Sequence, residues 1–236
     1  MSIVKLDKEV SCPDCHSSKV VKNGKKKTGA HNLLCRSCGL QFQGAYVYWG
    51  AVKSNKVLLL RMLLRGSGVR DCCAILGISM GCVWRTLLNR AAPMEIKPKH
   101  RYYNKVQIDE QWSYVGRKKK KVWMLYAICA ESGEILAASW GRRNKKNVKM
   151  LLLKMKALEI NFYCTDSWRA FMEVLPAQKH IIGKCFTKKI EGFNTWFRTR
   201  LRRLMRRTTG FSKKLHYHYA MMKAAICHRN LNASYI

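Results

Sequence analysis

The sequence is poor in acidic residues. Only 13 Asp and Glu stand against 46 Lys and Arg, a formal net charge of +33 over 236 residues. Such an imbalance destabilises a compact state through self-repulsion unless a polyanion screens it. Because 48% of the residues are apolar and 10% aromatic, disorder is excluded and a globular chain is expected. The charge predicts a nucleic-acid partner, and a merely solvated basic surface is the alternative interpretation.

Long apolar runs are also missing. The longest uninterrupted run, Val122 to Ala130, is much shorter than the roughly 18 residues that a membrane span needs. The first ten residues alternate polar and apolar side chains, so we expect neither a secretory signal nor a membrane partner. The 11 cysteines are an odd number. An odd count and the lack of a secretory signal favour a reducing compartment. There, clustered cysteines are interpreted as metal ligands in preference to disulfides.

Four cysteines form two CxxC pairs, Cys12 with Cys15 and Cys35 with Cys38. Each tight CxxC turn presents two thiolates, and two such turns complete the tetrahedron that Zn²⁺ prefers. The spacing predicts a small zinc ribbon over residues 1–50, folded by its metal. Incidental thiols or a redox pair are the alternative.

The next segment, residues 51–92, has the pattern of a helix-turn-helix. A first helix ends at residues 66–68, a short helix follows, and Gly77 opens a turn before a further helix capped by Ser79. Trp84, Arg85 and Asn89 would then face DNA. A plain helical hairpin fits the same pattern. Residues 93–104 hold two of the four prolines and are expected to be a linker.

Residues 105–236 are expected to form an α/β domain. Three strands in a meander, a helix, a strand, a short helix, a possible fifth strand and a long helix from Thr187 to Arg207 follow one another. This is the order of the ribonuclease H-like fold, a mixed sheet flanked by helices.

Three isolated carboxylates stand out in this basic domain. Asp109 and Asp166 end strand-like runs, and Glu191 lies in the long helix. Phosphodiester cleavage and transfer put negative charge on several oxygens, which two divalent cations held by carboxylates stabilise. Carboxylates brought together without cations would repel one another. The pattern therefore predicts a Mg²⁺ or Mn²⁺ site.

Asn194 and Arg198 follow Glu191 at offsets of three and seven residues. Both offsets return to nearly the same helix face, where Asn194 would contact DNA and Arg198 would hold the DNA backbone beside the scissile phosphate. A salt bridge on a solvated helix face is the alternative.

The motifs resemble those of transposases of the insertion-sequence-one family. Residues 109–116 (DEQWSYVG) are similar to the first catalytic motif, residues 165–168 (TDSW) to the second, and residues 187–191 with Asn194 and Arg198 to the third. The resemblance covers nearly the whole chain. It implies a DDE transposase in which Asp109, Asp166 and Glu191 are the metal ligands.

Glu110 is the rival of Asp109 for the first ligand position. Adjacent strand residues point to opposite faces, so we expect only one of the two to join the cluster, and we favour Asp109. Three histidines of the last helical segment, at positions 216, 218 and 228, are either packed in that helix or near the site.

The resemblance implies an enzyme that binds the terminal inverted repeats of its element, cleaves the ends and joins the 3′-hydroxyls to target DNA. Its partners would be double-stranded DNA and further copies of itself, in a prokaryotic, cytoplasmic and nucleoid-associated setting. Zn²⁺ would be structural and Mg²⁺ or Mn²⁺ catalytic. A nuclease or resolvase of the same fold without strand transfer, or a non-catalytic DNA-binding regulator, are the alternatives.

Overall fold

A computed structural model describes residues 10–27, 29–44, 48–205 and 210–231. The chain divides into two compact units, one up to Asn55 and one from Lys56 onward. Within the described residues no single helix is long and apolar enough to cross a membrane, although the bent pair of the second and third α-helices passes the test by length and composition.

The first unit contains one small antiparallel sheet. Its strands, in spatial order, are β1 (Val20–Lys25), β2 (His31–Cys35) and β3 (Gln41–Gln43). Leu33 and Phe42 are buried together with Cys12 and Cys35. Four side chains are a very small core, which is the situation in which a structural metal supplies folding free energy.

The second unit starts with three helices, α1 (Lys53–Leu64, which begins just before the boundary), α2 (Val69–Leu76) and α3 (Met80–Ala91). Gly77 ends α2 in the left-handed region, at φ +60°, which an L side chain rarely adopts. Ser79 then caps α3, because its Oγ accepts a hydrogen bond of 3.2 Å from the backbone N–H of Cys82. The chain bends by 110° between α2 and α3, within the range of helix-turn-helix motifs.

A five-stranded mixed sheet follows, in the order β6-β5-β4-β7-β8. The first three are antiparallel, and β4, β7 and β8 are parallel. Their bounds are β4 (Tyr102–Tyr114), β5 (Lys121–Cys129), β6 (Ile135–Gly141), β7 (Glu159–Thr165) and β8 (His180–Ile182). The helices are α4 (Lys145–Lys154), α5 (Arg169–Val174), α6 (Lys188–Arg200) and α7 (Leu215–Leu231). This is the mixed sheet flanked by helices that the sequence predicted.

The two faces of the sheet bury different sets of helices. On one face, apolar residues of β4–β7 pack against α4 and α5. On the other, β5 and β6 share one apolar cluster with α6, α7 and the three helices α1–α3. The helix-turn-helix therefore packs on the same side of the sheet as α6.

Two elements differ from the sequence prediction. β4 begins at Tyr102, inside the expected linker. The long helix ends at Arg200, and a 3-10 turn (Arg202–Leu204) follows it in place of the helix expected up to Arg207. The last two residues of that expected helix, 206 and 207, lie outside the described residues. Leu201 and Leu204 are buried as expected. Their spacing of three residues fits α and 3-10 backbone equally, so periodicity alone could not separate the two.

Candidate functional site

Asp109 and Asp166 come together at one edge of β4. The parallel pairing of β4 with β7 places Gln107 opposite Cys164, and each aspartate lies two residues further along its own strand direction. Asp166 follows the last residue of β7, and its Oδ1 accepts a hydrogen bond of 3.1 Å from the backbone N–H of Trp168. The rigid sheet thus fixes both backbones, as a metal or catalytic site requires.

Glu110 joins the same cluster, so the expectation that only one of Asp109 and Glu110 could do so was wrong. One carboxylate oxygen each of Asp109, Glu110 and Asp166 lie within 4.8 Å of one another. The two neighbours do start from opposite faces of β4. Because β7 ends at Thr165, the edge of β4 is open beside them, and the longer side chain of Glu110 reaches the position of Asp166.

Glu191 lies in the first turn of α6 and is exposed. Among the described residues it is not a member of the carboxylate cluster. It is nevertheless near, because its charge contributes to the raised pKa of Asp109. Of the three acids predicted from the sequence, the fold therefore brings Asp109 and Asp166 together, whereas Glu191 lies outside the cluster.

Two polar side chains of the sheet hold the start of α6 beside the acids. The amide oxygen of Gln107 accepts a hydrogen bond of 2.9 Å from the backbone N–H of Ile190. The hydroxyl of Tyr126 donates to the carbonyl of Ile190 at 3.1 Å and to Oδ1 of Asn194 at 2.9 Å. These bonds place the helix that carries Glu191 over β4 and β5.

Asn194 connects that helix directly to the acids, since its Nδ2 donates a hydrogen bond of 2.7 Å to Oδ2 of Asp109. Its two ends are thus engaged by Asp109 and Tyr126, which gives it a positioning function that the sequence did not reveal. That Asn194 also contacts DNA stays a prediction. Gln107 was detectable in principle, because it lies two residues before Asp109 on the same strand face. Tyr126 could not be identified from the sequence, because its position opposite Asp109 is set by the register of β4 against β5.

Burial raises the pKa of Asp109 above its usual value. Hydrogen bonds from the Glu110 backbone and from Asn194 act in the opposite direction, and the charges of Asp166 and Glu191 raise it further. Burial also raises the pKa of Glu110 to about 7, although Arg143 lowers it. Close carboxylates that resist ionisation are typical of a site that gains a cation.

Arg198 lies two turns after Glu191 on α6, half-buried. Its Nε is buried, and among the described residues no acceptor lies within hydrogen-bonding distance of it. Because this Nε is buried, it is out of reach of DNA, and a phosphate contact by the guanidinium of Arg198 stays a prediction.

The four cysteines of the first unit form a second cluster, with all four Sγ atoms within 4.8 Å of one another. The Sγ atoms of Cys12 and Cys38 are 3.6 Å apart, and those of Cys15 and Cys35 are 3.5 Å apart. Four thiolates at about 2.3 Å from Zn²⁺ would be about 3.8 Å apart, so the cluster fits zinc.

The two CxxC turns have matching backbones. His16 and Gly39 each follow the second cysteine of a pair, and both have positive φ, +57° and +75°. The backbone N–H of each donates to the carbonyl of the first cysteine of its pair, at 3.0 and 2.9 Å. A hydrogen bond from the Cys38 backbone lowers the pKa of the Cys35 thiol, whereas the pKa values of Cys15 and Cys38 are raised, in part by burial and by the neighbouring thiols.

Arg85 and Asn89 are exposed on α3, one helical turn apart. Trp84 is half-buried, and its ring stacks on that of Tyr217 with centroids 4.4 Å apart, so its contact with DNA stays a prediction. The stacking contact belongs to the packing of α3 against α7.

His218 is packed, in agreement with one of the two alternatives for the C-terminal histidines. Its ring nitrogens are each 3.0 Å from a hydroxyl, Nε2 from Ser113 of β4 and Nδ1 from Ser212. The residue is 2% exposed, and burial lowers its pKa to about 4 with a further contribution from Arg203. His216 is exposed and His228 half-buried.

Comparisons with known proteins match both the domain that contains the carboxylate cluster and the domain that contains the four cysteines. The family model of the IS1 transposase matches residues 105–231, and that of the InsA N-terminal domain, a zinc ribbon, matches residues 8–39. The iso-IS1n protein InsB of Shigella dysenteriae is 37% identical over 112 residues, which are 48% of this chain and 86% of the relative. The IS1 protein InsB of Shigella flexneri is 33% identical over the same shares.

One solved structure, a simian T-cell lymphotropic virus intasome in complex with a PP2A regulatory subunit, contains a chain with a TM-score of 0.39 and 13% identity. The match covers 72% of this chain and spans 64% of the length of that chain, and it carries no functional argument. The family model, in contrast, covers more than half of the sequence and includes all the acids of the site. The chain belongs to the IS1 transposase family, with a ribonuclease H-like domain behind a zinc ribbon.

Proposed function

We propose that this transposase binds the terminal inverted repeats of its element, cleaves at the ends and joins the 3′-hydroxyls to target DNA. The observation that carries the proposal is the meeting of Asp109 and Asp166 at one edge of β4, with α6 and Glu191 held beside them. Membership of the family supports the reaction class.

Asp109 and Asp166 hold the divalent metal, Mg²⁺ or Mn²⁺, and Glu191 completes the ligand set. When bound, the metal stabilises the charge that develops on the attacking, leaving and non-bridging oxygens. The half-buried acids suit a hard cation that prefers oxygen ligands. Asn194 and Tyr126 keep Asp109 and the start of α6 in register for this task.

The two reaction steps are displacements at phosphorus. In the first, water attacks the phosphodiester at the element end, and the 3′-hydroxyl leaves. In the second, that 3′-hydroxyl attacks a phosphodiester of the target, so one phosphodiester bond forms as another breaks. Arg198, two helical turns after Glu191 on α6, holds a phosphate oxygen of the DNA near the attacked bond through its guanidinium group.

The N-terminal modules hold the DNA. Zn²⁺ bound by Cys12, Cys15, Cys35 and Cys38 folds the ribbon, and α3 presents Arg85 and Asn89 to the inverted repeat. Because two element ends must be joined together, the active form contains at least two copies of the chain on DNA.

A joining assay tests the proposal. A DNA fragment with the element's own ends is incubated with a target plasmid and Mg²⁺ or Mn²⁺, using wild type and Asp166→Asn. Joined products from the wild type alone, with end binding kept in both proteins, are the expected result. Cleavage without joining would replace the proposal by a nuclease of the same fold. End binding without either reaction would replace it by a DNA-binding regulator.

A further inference from the structure

Arg143 holds one oxygen of Glu110 and leaves the other one without a partner. Nε of Arg143 donates to Oε1 of Glu110 at 2.6 Å, and Nη2 contacts the same Oε1 atom. An arginine usually pairs with a carboxylate fork to fork, with one N–H on each oxygen. Here both donors converge on Oε1, and no hydrogen-bond partner of Oε2 exists among the described residues.

If the ion pair were purely structural, a buried Oε2 without a partner would raise the free energy of the folded state. The side chain of Glu110 is only 7% exposed, so bulk water has little access to Oε2. A buried polar atom without a hydrogen bond carries a free-energy cost, which is larger where the atom is charged. A cation would remove that cost.

The surroundings of Glu110 fit a cation. One carboxylate oxygen each of Asp109, Glu110 and Asp166 lie within 4.8 Å of one another. Ligand oxygens on opposite sides of an octahedral Mg²⁺ are about 4.2 Å apart, because each metal–oxygen distance is about 2.1 Å. The limit of 4.8 Å exceeds this separation by about 0.6 Å, so small side-chain rotations would bring the three oxygens around one ion.

Arg143 is itself held in place. Its guanidinium carbon lies 4.3 Å from the ring centre of Trp168 and 5.3 Å from that of Trp123. Contacts with two aromatic rings restrict the rotamers of a long side chain and favour its charge. Arg143 thus fixes Oε1, which in turn fixes the direction in which Oε2 points.

We propose that Glu110 is a further ligand of the divalent-metal centre, binding through Oε2, and that Arg143 is its positioning residue. The inference rests on the proposed metal function of Asp109 and Asp166. Because Glu191 is exposed and outside the cluster, Glu110 supplies the third carboxylate of the metal site in the protein without DNA.

The test is Mn²⁺ binding by the full-length protein without DNA. Free Mn²⁺ is measured by its electron paramagnetic resonance signal, after the cysteine site has been filled with Zn²⁺. We expect Glu110→Gln to weaken Mn²⁺ binding at least tenfold, and Glu191→Gln to weaken it less. The matched control is Glu173→Gln, because Arg169 Nε donates to Glu173 Oε1 at the same 2.6 Å, but Glu173 lies outside the carboxylate cluster.

Near-ultraviolet circular dichroism checks that each variant is folded. If Glu110→Gln alone does not fold, because it leaves Arg143 without its partner, the double variant Glu110→Gln/Arg143→Gln is compared with Arg143→Gln. The same loss of Mn²⁺ affinity on that background supports the inference. Equal affinity in the two proteins overturns it.

The aspartates separate this inference from the proposed function. If Asp109→Asn and Asp166→Asn weaken Mn²⁺ binding but Glu110→Gln does not, the metal site stands and Glu110 is only the partner of Arg143. If neither aspartate variant changes Mn²⁺ binding, the proposed metal site itself is wrong, and the inference about Glu110 falls with it.

Discussion

Asn194 Nδ2 donates a hydrogen bond of 2.7 Å to Asp109 Oδ2, while Asn194 Oδ1 accepts one of 2.9 Å from the Tyr126 hydroxyl. One amide thus joins α6 to two strands of the sheet. A hydrogen-bond partner of this kind fixes the orientation of a metal-binding carboxylate. Its removal typically lowers the metal affinity or the activity of the site by roughly 10- to 100-fold.

We therefore expect Asn194→Ala to lower the rate of DNA-end cleavage by roughly 10- to 100-fold, and to lower the affinity for end DNA by a smaller factor. Single-turnover cleavage and a gel-shift assay measure the two quantities. Thr195→Ala is the control, because this neighbouring residue is exposed and its hydroxyl donates to the carbonyl of Glu191 at 3.4 Å rather than to an acid of the cluster. An Asn194→Ala protein that cleaves at the wild-type rate would show that Asp109 needs no such support.

Removal of zinc should unfold the first unit and spare the second. The core of the ribbon consists of very few side chains, so its fold depends on the thiolate–metal bonds. After treatment with a chelator, limited proteolysis should cut between residues 10 and 44 while the fragment from Lys56 onward persists. Cys35→Ser should behave like the chelated protein.

Cys227→Ser is the control for that experiment, since Cys227 lies in α7, outside the four-cysteine cluster. It should bind as much zinc as the wild type. Protease resistance of residues 10–44 without bound metal would contradict the expectation.

Acidification should destabilise the second unit through His218. Its pKa is about 4 in the folded chain, mainly because of burial, and near 6.5 when unfolded. Between these two values the unfolded state binds more protons, so the free energy of unfolding falls as the pH falls from 6.5 toward 4. The neutral histidine contributes stability above pH 6.5, and the loss by pH 4 is on the order of 3 kcal/mol.

Urea unfolding at a series of pH values measures this contribution. His180 and His228, whose pKa values burial also lowers, add to the pH dependence in the same direction. They are common to wild type and His218→Gln, so the difference between the two proteins isolates His218. Parallel stability curves would mean that His218 is protonated without cost.

We expect substitutions of the two exposed α3 residues, Arg85 and Asn89, to change DNA binding in different ways. Arg85→Ala should weaken binding to all sequences and lower the salt dependence of the logarithm of affinity by about one, because one phosphate contact is lost. Asn89→Ala should cost about 1–3 kcal/mol on the inverted repeat and little on random DNA.

Fluorescence anisotropy with both DNAs over a range of salt concentrations separates the two. Arg101→Ala is the control, since Arg101 is exposed just before β4, eight residues before Asp109. If both α3 variants bind like the wild type, α2 and α3 form a structural hairpin and another surface reads the repeat.

The sequence by itself determined the order of the elements and pointed to two candidate ligand sets. The CxxC spacing is a local property, and so is the position of Asp166 directly after a strand, whereas Asp109 was selected at the end of an apolar run that the structure extends to Tyr114. Ser79 as the cap of α3 is equally local, and the structure confirms it.

Only the tertiary structure decided which of these groups meet. Sheet register places Tyr126 opposite Asp109, and the packing of α6 brings Asn194 to both; neither follows from sequence spacing. Strand alternation placed Glu110 away from the cluster, but the early end of β7 leaves an open edge through which its side chain reaches Asp166. The alternation rule describes the direction of Cβ, whereas a carboxylate two bonds further out goes where neighbouring strands leave room.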